Sequence, residues 1–370
     1  MHERNAAIGE PVRTSGGSFI EPLRRLGIPA DCWHPVHRIR VIGPTTDVVK
    51  SYRQPVGCVL DVRRTYQWLG ARAVDAGAEI RLKSAVDGLR RDRSRVVGIR
   101  ARDPFKGRYD VEARVVVDAS GHTGFLARDE GLRPGNDRSA VGMEVELRAP
   151  GYDADEAVFW LGDDVAPGGY AWAFPTGEGR VRLGVGVVRP DSDAEPRVLL
   201  SRLLEVFRSH AGGPAAPVGA LEMHSGLMPV IAPDATRLAA DGVLVVGDAG
   251  GQGSTLLGEG IRYAIAAGRL AGETLVAARG DYTAGGLAAY PREWRRQTKR
   301  DMAISYAVNT RICQFRDEDW DRAVRRMEHL TANQAARLFA SDFSVGWALG
   351  VLVTQPSVLR SVGRALRQRA

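Results

Sequence analysis

Outside the middle of this chain, the spacing of the apolar residues is typical of a protein in which strands and helices alternate. Four consecutive apolar residues at 243–246 predict a buried parallel strand, and the apolar spacing from Ile261 to Ala277 predicts a helix. Asp61 and the apolar positions after it predict another helix, for which Gly77 is the C-terminal stop. The other segments predicted here are one or two strands over 36–52, a strand over 79–83, a hairpin from 86 past 99, and a strand over 113–119.

From about residue 140 the pattern changes to the alternation of longer strands. These strands are predicted at 141–147, 157–161, 169–174 and 181–188. Thr176-Gly177-Glu178-Gly179 joins the last two as a hairpin turn. Alternating strands joined in this way predict an antiparallel sheet. The chain returns to its first core from Gly242 onward, so the sheet is inserted into an α/β domain, and Arg-rich helices follow past about residue 285.

A glycine-rich segment, Gly247-Asp248-Ala249-Gly250-Gly251-Gln252-Gly253-Ser254-Thr255-Leu256-Leu257-Gly258-Glu259-Gly260, joins the strand at 243–246 to the helix at Ile261. Such a turn leaves backbone N–H groups unshielded at the helix N-terminus. Together with the positive end of the helix dipole, they suit a pyrophosphate or an electron-rich flavin edge. Asp248, at the exit of the strand, can accept a hydrogen bond from a ribose or ribityl hydroxyl.

This segment resembles the second cofactor motif of flavoproteins built like p-hydroxybenzoate hydroxylase. Within that group the chain resembles the geranylgeranyl reductase family, from about Glu3 to about Trp294. Four segments carry the resemblance: Gly9-Glu10-Pro11…Ser15-Gly16-Gly17, Val117-Asp118-Ala119-Ser120-Gly121, Tyr170-Ala171-Trp172-Ala173-Phe174-Pro175, and 247–261. The resemblance implies FAD as cofactor. The cofactor-binding residues that it implies are Glu3, Arg63, Gly247, Asp248, Gly258, Gly260 and Ile261.

One motif of these flavoproteins does not occur in the 370 residues. Such proteins open with a strand, a G-x-G-x-x-G turn and a helix that holds the ADP pyrophosphate. Glu3 matches their acidic residue that binds the adenosine ribose, typically about 20 residues after the glycine turn. We therefore expect that roughly 30 N-terminal residues are absent from this sequence, through a misplaced start codon or trimming. The alternative is a degenerate protein that no longer binds flavin well.

The resemblance also implies how the predicted elements are grouped. The expected fold is α/β, with a Rossmann-like, N-terminally truncated FAD-binding domain, an inserted antiparallel substrate sheet and a helical C-terminal region. The predicted division is 1–139 and 235–290 for the FAD-binding domain, 140–234 for the substrate sheet, and 291–370 for the C-terminal region.

Substrate-binding residues are predicted in two of the four segments. Tyr170, Trp172 and Phe174 alternate along a strand that Pro175 ends, so they share one face and form an apolar wall suited to a prenyl chain. An ordinary sheet core is the alternative, and flavin-dependent halogenases carry a similar Trp-x-Trp-x-Ile-Pro run. Ser15 stands where many geranylgeranyl reductases have Cys, and its hydroxyl lacks the redox chemistry of a thiol. No residue is assigned as the catalytic proton source.

Composition limits the partners and the location. Of the 51 basic residues only four are Lys, and no stripe of Arg interleaved with aromatics predicts nucleic-acid binding. The three cysteines lack metal spacing, so we expect no metal site and a cytoplasmic protein. Phe343 to Leu359 carries no charge and precedes Arg360, Arg364, Arg367 and Arg369. This end either contacts the inner face of a membrane or is a core helix with a solvated end.

Three functions are consistent with these features. The first is an FAD-dependent reductase of the isoprenoid double bonds of a prenyl lipid, with NAD(P)H or ferredoxin as external electron donor. The second is another flavoenzyme of the same shape: a monooxygenase, a halogenase or a carotenoid-modifying enzyme. The third is a truncated, non-enzymatic remnant that binds lipid or protein. The long aromatic wall favours the reductase, because a monooxygenase needs a pocket for a polar aromatic substrate.

Overall fold

The computed structural model describes residues 1–211, 219–344, 346–348 and 351. The strands are β1 (Gly17–Phe19), β2 (Trp33–Val36), β3 (Arg38–Ile42), β4 (Asp47–Ser51), β5 (Gly57–Leu60), β6 (Ala85–Asp92), β7 (Arg95–Asp103), β8 (Gly107–Glu112), β9 (Val116–Asp118), β10 (Ser139–Arg148), β11 (Glu156–Trp160), β12 (Gly169–Gly177), β13 (Arg180–Arg189), β14 (Gly219–Pro229), β15 (Ala239–Ala240) and β16 (Val243–Val245). The helices are α1 (Ile20–Arg25), α2 (Val62–Asp75), α3 (Phe125–Asp129), α4 (Pro196–Ala211), α5 (Ile261–Ala277), α6 (Ala289–Ile312), α7 (Asp317–Glu328) and α8 (Ala332–Phe339).

The first core surrounds the parallel pair of β9 and β16, in which Val117 lies opposite Leu244. Val243, Leu244 and Val245 are fully buried beneath α5 and α6, as a continuous apolar run in a parallel strand predicts. The helix predicted from Ile261 to Ala277 is confirmed as α5. The expected α/β character, with a parallel strand pair covered by helices, is thereby confirmed for this core.

Two local predictions are confirmed, namely the ends of the helix that starts after Asp61 and the hairpin turn at 176–179. Asp61 caps α2 by accepting a hydrogen bond of 2.9 Å from the Arg64 N–H, and Gly77 follows the helix with a φ of 89°. Glu178 and Gly179 both have positive φ, 51° and 65°, as the turn of a tight hairpin between β12 and β13 requires.

Two other local predictions were wrong. The segment 79–83 is not a strand, and only an isolated bridge joins Arg81 to His2. Lys83 has a φ of 51°, in the left-handed region, which ends the extended backbone there. Pro175 does not end its strand, because β12 continues to Gly177. A register shift after Pro175 accommodates the missing N–H donor.

The large sheet has seven strands in the order β14-β10-β13-β12-β11-β3-β4. Its neighbours are antiparallel except for β11 and β3, which run parallel. The strands predicted over 36–52 supply β3 and β4, so the sheet draws on residues before 140 as well as on the segment 140–234. Alternation along these strands gives the sheet two different faces.

One face of the large sheet is aliphatic and packs against α4. Leu183 and Val185 of β13 are fully buried there against Leu203 and Phe207 of the helix. The opposite face carries aromatic, glycine and charged residues and is turned towards the first core. The helices α7 and α8 cover the β3–β4 end of this second face, where Phe339 stacks on Phe159 at 5.9 Å between ring centroids.

The C-terminal region is helical as predicted, in α6, α7 and α8. Most of the uncharged stretch from Phe343 to Leu359 lies outside the described residues, and so do the four arginines after it. Of the residues in that stretch that are described, Phe343 and Val351 are buried. Across the described ranges, no helix combines the length and the apolar character needed to cross a membrane.

Candidate functional site

A cavity of about 2070 Å³ lies between the first core and the second face of the large sheet. Ordinary pockets for small ligands measure about 300–1,000 Å³, so this one has room for more than one small molecule. Its lining comes from the ends of β9 and β16, the start of α5, the aromatic face of β12, and α7 and α8. It therefore joins a polar end, at the glycine-rich segment, to an apolar end beneath the C-terminal helices.

The two acidic residues at the strand ends differ in their hydrogen bonding. Asp118 is buried, and its carboxylate accepts hydrogen bonds from the N–H groups of Ser120 and Ala127, at 2.9 and 2.7 Å. Asp248 lines the cavity, and its carboxylate accepts no hydrogen bond from the residues that the structure describes. Burial raises the pKa of Asp248 to about 6, against the opposing charge of Arg133. Asp248 is thus the carboxylate that remains open to a ligand hydroxyl.

The start of α5 is also open. Its N-cap residue, Gly260, makes no side-chain cap, so the first N–H groups of a 17-residue helix are left for a ligand. A Cβ at position 260 would lie 3.3 Å from Oδ1 of Asp248, and Gly258 has a φ of 66°. Larger residues at these positions would fill the space or strain the turn. Gly247, Asp248, Gly258, Gly260 and Ile261 all lie together on the cavity wall, and cofactor binding by them stays a prediction.

The other two predicted cofactor residues are placed differently. Glu3 lines the same cavity, and its carboxylate accepts a hydrogen bond of 2.7 Å from the Asn5 N–H. Arg63 is not among the residues that line the cavity in the described chain. Its guanidinium instead lies 2.8 Å from the Glu10 carboxylate and 3.5 Å from that of Glu222. The structure therefore groups Glu3 with the glycine-rich segment and leaves Arg63 apart from it.

The aromatic residues of β12 share the second face, as their alternation predicted. The ring centroids of Tyr170 and Trp172 are 5.6 Å apart, and those of Trp172 and Phe174 are 6.0 Å apart. Phe159 of the neighbouring strand extends this wall, 5.2 Å from Phe174. The Tyr170 hydroxyl donates a hydrogen bond of 2.5 Å to the carbonyl of Leu257, which ties the wall to the glycine-rich segment.

Ser15 lies where the two ends of the site meet. It lines both the large cavity and a smaller one of about 70 Å³, and its carbonyl accepts a hydrogen bond of 2.8 Å from Arg182. The smaller cavity also contacts Cys58 and Glu259, which sequence reasoning did not assign to the site. Burial, with the charge of Glu259, raises the pKa of the Cys58 thiol. The thiolate form is therefore disfavoured, although this cysteine shares a cavity with Ser15.

Sequence reasoning missed a buried polar network beside the aromatic wall. The Trp172 indole donates a hydrogen bond of 3.1 Å to the Glu144 carboxylate, whose other oxygen lies 2.9 Å from Nδ1 of His224. His224 Nε2 lies 3.0 Å from the carboxylate of Glu222. The sequence contained one indication of this network. Glu144 and Glu146 are two positions apart in the predicted strand 141–147, so they must share one face of it, the less apolar one.

These contacts define a site for a large, partly anionic and partly apolar ligand rather than for a metal. In the described ranges no group of three or more His, Cys, Asp or Glu side chains could hold a metal ion.

A family model described as FAD dependent oxidoreductase matches residues 13–274, which is more than half of the chain. The protein therefore belongs to the FAD-dependent oxidoreductases, and it is an enzyme with FAD as its cofactor.

Its relatives narrow the class. Two proteins of Methanopyrus kandleri named digeranylgeranylglycerophospholipid reductase are similar to this chain. One is 31% identical, covering 97% of this chain and 90% of its own length, and the other is 34% identical, covering 80% and 79%. The chain belongs to the geranylgeranyl reductase family, as the four sequence segments indicated.

Solved structures agree on the fold. A geranylgeranyl bacteriochlorophyll reductase-like protein of Thermoplasma acidophilum superposes with a TM-score of 0.84 and 23% identity, covering 99% of this chain and 92% of that one. A flavin-dependent brominase superposes with a TM-score of 0.70 and 17% identity, covering 98% and 92%. At these identities the structures show the shared fold and leave the reaction to the site itself.

Proposed function

We propose that this oxidoreductase reduces the carbon–carbon double bonds of geranylgeranyl-type chains in a prenyl lipid. The observation that carries the proposal is the continuous apolar wall of the large cavity. It runs from Trp172 and Tyr170, beside the glycine-rich segment, through Phe159 to Leu338 and Phe339 of α8. A wall of this extent matches a long hydrocarbon chain, and the names of the two Methanopyrus relatives refer to such a substrate.

The residues at the polar end of the cavity suit FAD. Asp248 offers an unpaired carboxylate to a sugar or ribityl hydroxyl, and the uncapped start of α5 offers N–H groups to an electron-rich edge. Glu3 lies on the wall of the same cavity, where it would bind the adenosine ribose. Arg63 stays a predicted cofactor residue without support from the cavity lining. Bound FAD supplies the two-electron chemistry, a hydride to one carbon of the double bond.

The chain's own residues position the substrate and exclude water. The apolar side chains of the wall, with those of α7 and α8, bury a hydrocarbon chain without offering it polar partners. Ser15 and Tyr170 lie where this wall meets the glycine-rich segment, so they limit how far the chain advances. The hydrogen bond of Tyr170 to the Leu257 carbonyl fixes the orientation of its ring at this boundary.

Two further parts belong to this proposal. Electrons come from an external donor, NAD(P)H or ferredoxin. The protein also takes its lipid at the inner face of a membrane, through peripheral contact of the C-terminal region. The described end of that region supports the second part, because Phe343, Trp347 and Val351 line the apolar end of the cavity. A lipid would thus enter at this apolar end of the cavity.

Anaerobic reoxidation tests the proposal directly. The FAD-loaded enzyme is reduced with dithionite and mixed with digeranylgeranylglycerophospholipid in detergent micelles, and flavin absorbance and product mass are followed. We expect reoxidation with a gain of two hydrogens for each double bond reduced. The same lipid with saturated chains is the control and must leave the flavin reduced.

Failure of the unsaturated lipid to reoxidise the flavin would contradict the proposal. In that case the reduced enzyme is mixed with oxygen and an aromatic acceptor, with and without halide. Oxygen-dependent hydroxylation or halogenation would assign the enzyme to the other flavoenzymes of this fold.

A further inference from the structure

We propose that Glu144 and His224 deliver the proton that completes reduction of the double bond, and that they take it from the protein surface through Glu222. This inference rests on the proposed function. Adding a hydride to one alkene carbon leaves the other carbon in need of a proton. The apolar wall offers none, so the proton must come from a polar group at its edge.

The three side chains form a continuous hydrogen-bonded path from the cavity to solvent. Glu144 and His224 lie opposite each other on β10 and β14, are both nearly fully buried, and both line the large cavity. Their side chains meet at 2.9 Å, between Oε1 and Nδ1. On its far side, His224 Nε2 meets the exposed carboxylate of Glu222 at 3.0 Å. A proton can therefore move along the path between solvent and the cavity wall.

The cavity end of this path lies against the predicted substrate wall. The second carboxylate oxygen of Glu144 accepts the hydrogen bond of the Trp172 indole, which places the acid beside the central aromatic residue. The backbone of Gly226, two residues after His224, packs so closely on Arg13 that a Cβ at position 226 would lie 2.0 Å from the Arg13 carbonyl. The path thus reaches the wall next to the loop that holds Ser15, where the wall meets the cofactor end.

Charges around His224 favour its protonated form. Its pKa is raised, first by the hydrogen bond to Glu144 and also by that to Glu222, against burial and the charge of Arg182. On the outer side, the pKa of Glu222 is lowered, chiefly by its hydrogen bond to His224 and also by Arg63. Between two carboxylates the imidazole therefore holds its proton more tightly than an ordinary histidine does, and its hydrogen bond gives that proton a route from Nδ1 to the Glu144 carboxylate.

The step balances in atoms and charge. The π bond of the alkene breaks, and two C–H bonds form, one with the hydride and the other with the proton that leaves Glu144. Reduced flavin is oxidised by two electrons, and the alkene is reduced by the same two. His224 then reprotonates Glu144 through Nδ1 and recovers a proton from solvent through Glu222.

Other acids near the wall fit this role less well. Glu259 lies in the smaller cavity, and its Oε1 is paired with Arg262 at 2.8 Å and accepts a hydrogen bond of 2.7 Å from Ser18, so an arginine stands beside it where Glu144 has a histidine. Burial raises the pKa of Tyr170, and its hydroxyl is already committed to the Leu257 carbonyl. The Ser15 hydroxyl is a weak acid. Glu144 is the cavity-lining acid that is linked through a histidine to the surface.

The first test compares Glu144→Gln and His224→Gln with wild type in the anaerobic reoxidation by digeranylgeranylglycerophospholipid. We expect reoxidation about a hundredfold slower in both variants, since a positioned general acid contributes about 10²–10⁴-fold. The ratio of flavin to protein should not change. Glu144→Asp keeps an acid and should recover part of the rate. Glu156→Gln is the matched control, because Glu156 is a half-buried carboxylate of the same sheet that pairs with Arg38 outside the cavity.

The second test does not depend on activity. The ¹⁵N chemical shifts of the His224 imidazole, followed against pH in the substrate-free protein, report when the ring loses its proton. We expect it to stay protonated above the ordinary histidine range in wild type, and to lose its proton at lower pH in Glu144→Gln. In wild type, the reoxidation rate should fall over the same pH range in which the ring titrates.

The outcomes separate this inference from the proposed function. If wild type is not reoxidised by the lipid, the proposed function is wrong and the relay falls with it. If wild type turns over and both variants keep at least a third of its rate, the relay alone is wrong. If the buried variants lose flavin, Glu222→Gln at the exposed end decides, since an unchanged rate and pH profile there would overturn the relay and a slower rate would support it.

Discussion

The indole of Trp172 lies across Gly184 of the neighbouring strand so closely that any side chain there would collide with it. A Cβ at position 184 would stand 2.4 Å from Cζ2 of Trp172 and 2.6 Å from Cβ of Glu144. The two residues are directly opposite in the register of β12 and β13. Glycine at 184 therefore sets the position of the aromatic wall and of the acid beside it.

Gly184→Ala should displace the indole and destabilise the protein by about 1–3 kcal/mol, the usual cost of overpacking. Because the wall moves, prenyl-lipid binding should weaken as well. Urea denaturation and lipid titration measure the two effects. Gly272→Ala is the control: Gly272 is an exposed residue of α5 with open space around its Cα, so alanine there should stabilise by up to about 1 kcal/mol. Equal stability of the two variants would contradict the packing argument.

Trp172→Ala should weaken prenyl-lipid binding about a hundredfold, since truncating a buried aromatic side chain costs about 3 kcal/mol or more. FAD occupancy should change little, because the predicted cofactor residues lie on other elements. Trp172→Phe keeps a ring and loses only the hydrogen bond to Glu144, so it should bind lipid nearly normally. Absorbance ratios and lipid titration are the measurements. If Trp172→Ala loses flavin and lipid binding together, the aromatic strand is core and does not form a substrate wall.

Asp248→Asn should lower FAD affinity by roughly 1–3 kcal/mol, because a ligand hydroxyl loses its charged acceptor. Folding without FAD should be preserved, since the carboxylate of Asp248 has no partner in the described chain. Asp118→Asn is the contrasting variant, and it should instead destabilise the protein, because both oxygens of Asp118 hold backbone N–H groups. Flavin titration and thermal unfolding distinguish the two. An unchanged FAD affinity for Asp248→Asn would make Asp248 a turn residue only.

The raised pKa of Asp248 gives a pH dependence of stability. Since burial raises this pKa from 3.8 to about 6, the folded protein without FAD binds a proton more tightly than the unfolded chain. Its contribution to the free energy of unfolding is therefore fully present below pH 4 and lost as pH rises through about 6, by about 3 kcal/mol at most. Urea denaturation from pH 4 to pH 7 measures it. Asp248→Asn should remove this part of the slope, and an identical slope would contradict the burial of the charge.

His224 gives a second pH dependence of stability, at higher pH. Its pKa is raised in the folded state, so the stabilisation by its protonated form is complete below the ordinary value of 6.5 and disappears as pH rises through the raised value. His224→Gln should therefore destabilise the protein more at pH 6 than at pH 9. Glu222→Gln should reduce this difference, because Glu222 contributes to the shift. A loss of stability that is equal at both pH values would mean that His224 is neutral throughout.

Much of the fold could be predicted because it depends on local patterns. The limits of α5 follow from its apolar spacing and from the glycine before Ile261, and the face shared by Tyr170, Trp172 and Phe174 follows from the geometry of a strand. The segment 79–83 was mispredicted although it alternates, because a strand also needs a partner along its length. That partner is a tertiary matter, and here the backbone of Lys83 turns away after one bridge.

By itself, the sequence determined the class of protein, the glycine-rich segment and the aromatic wall, since each is carried by residues close together in the chain. The tertiary structure decided which buried polar groups meet. Glu144 and His224 are 80 positions apart, and only the pairing of β10 with β14 brings them together. The tertiary structure also gave different surroundings to Asp118 and Asp248, which both lie at the ends of strands of the parallel pair. One carboxylate is satisfied by backbone N–H groups and the other is left for a ligand, because hydrogen-bond partners depend on how the chain folds around each residue.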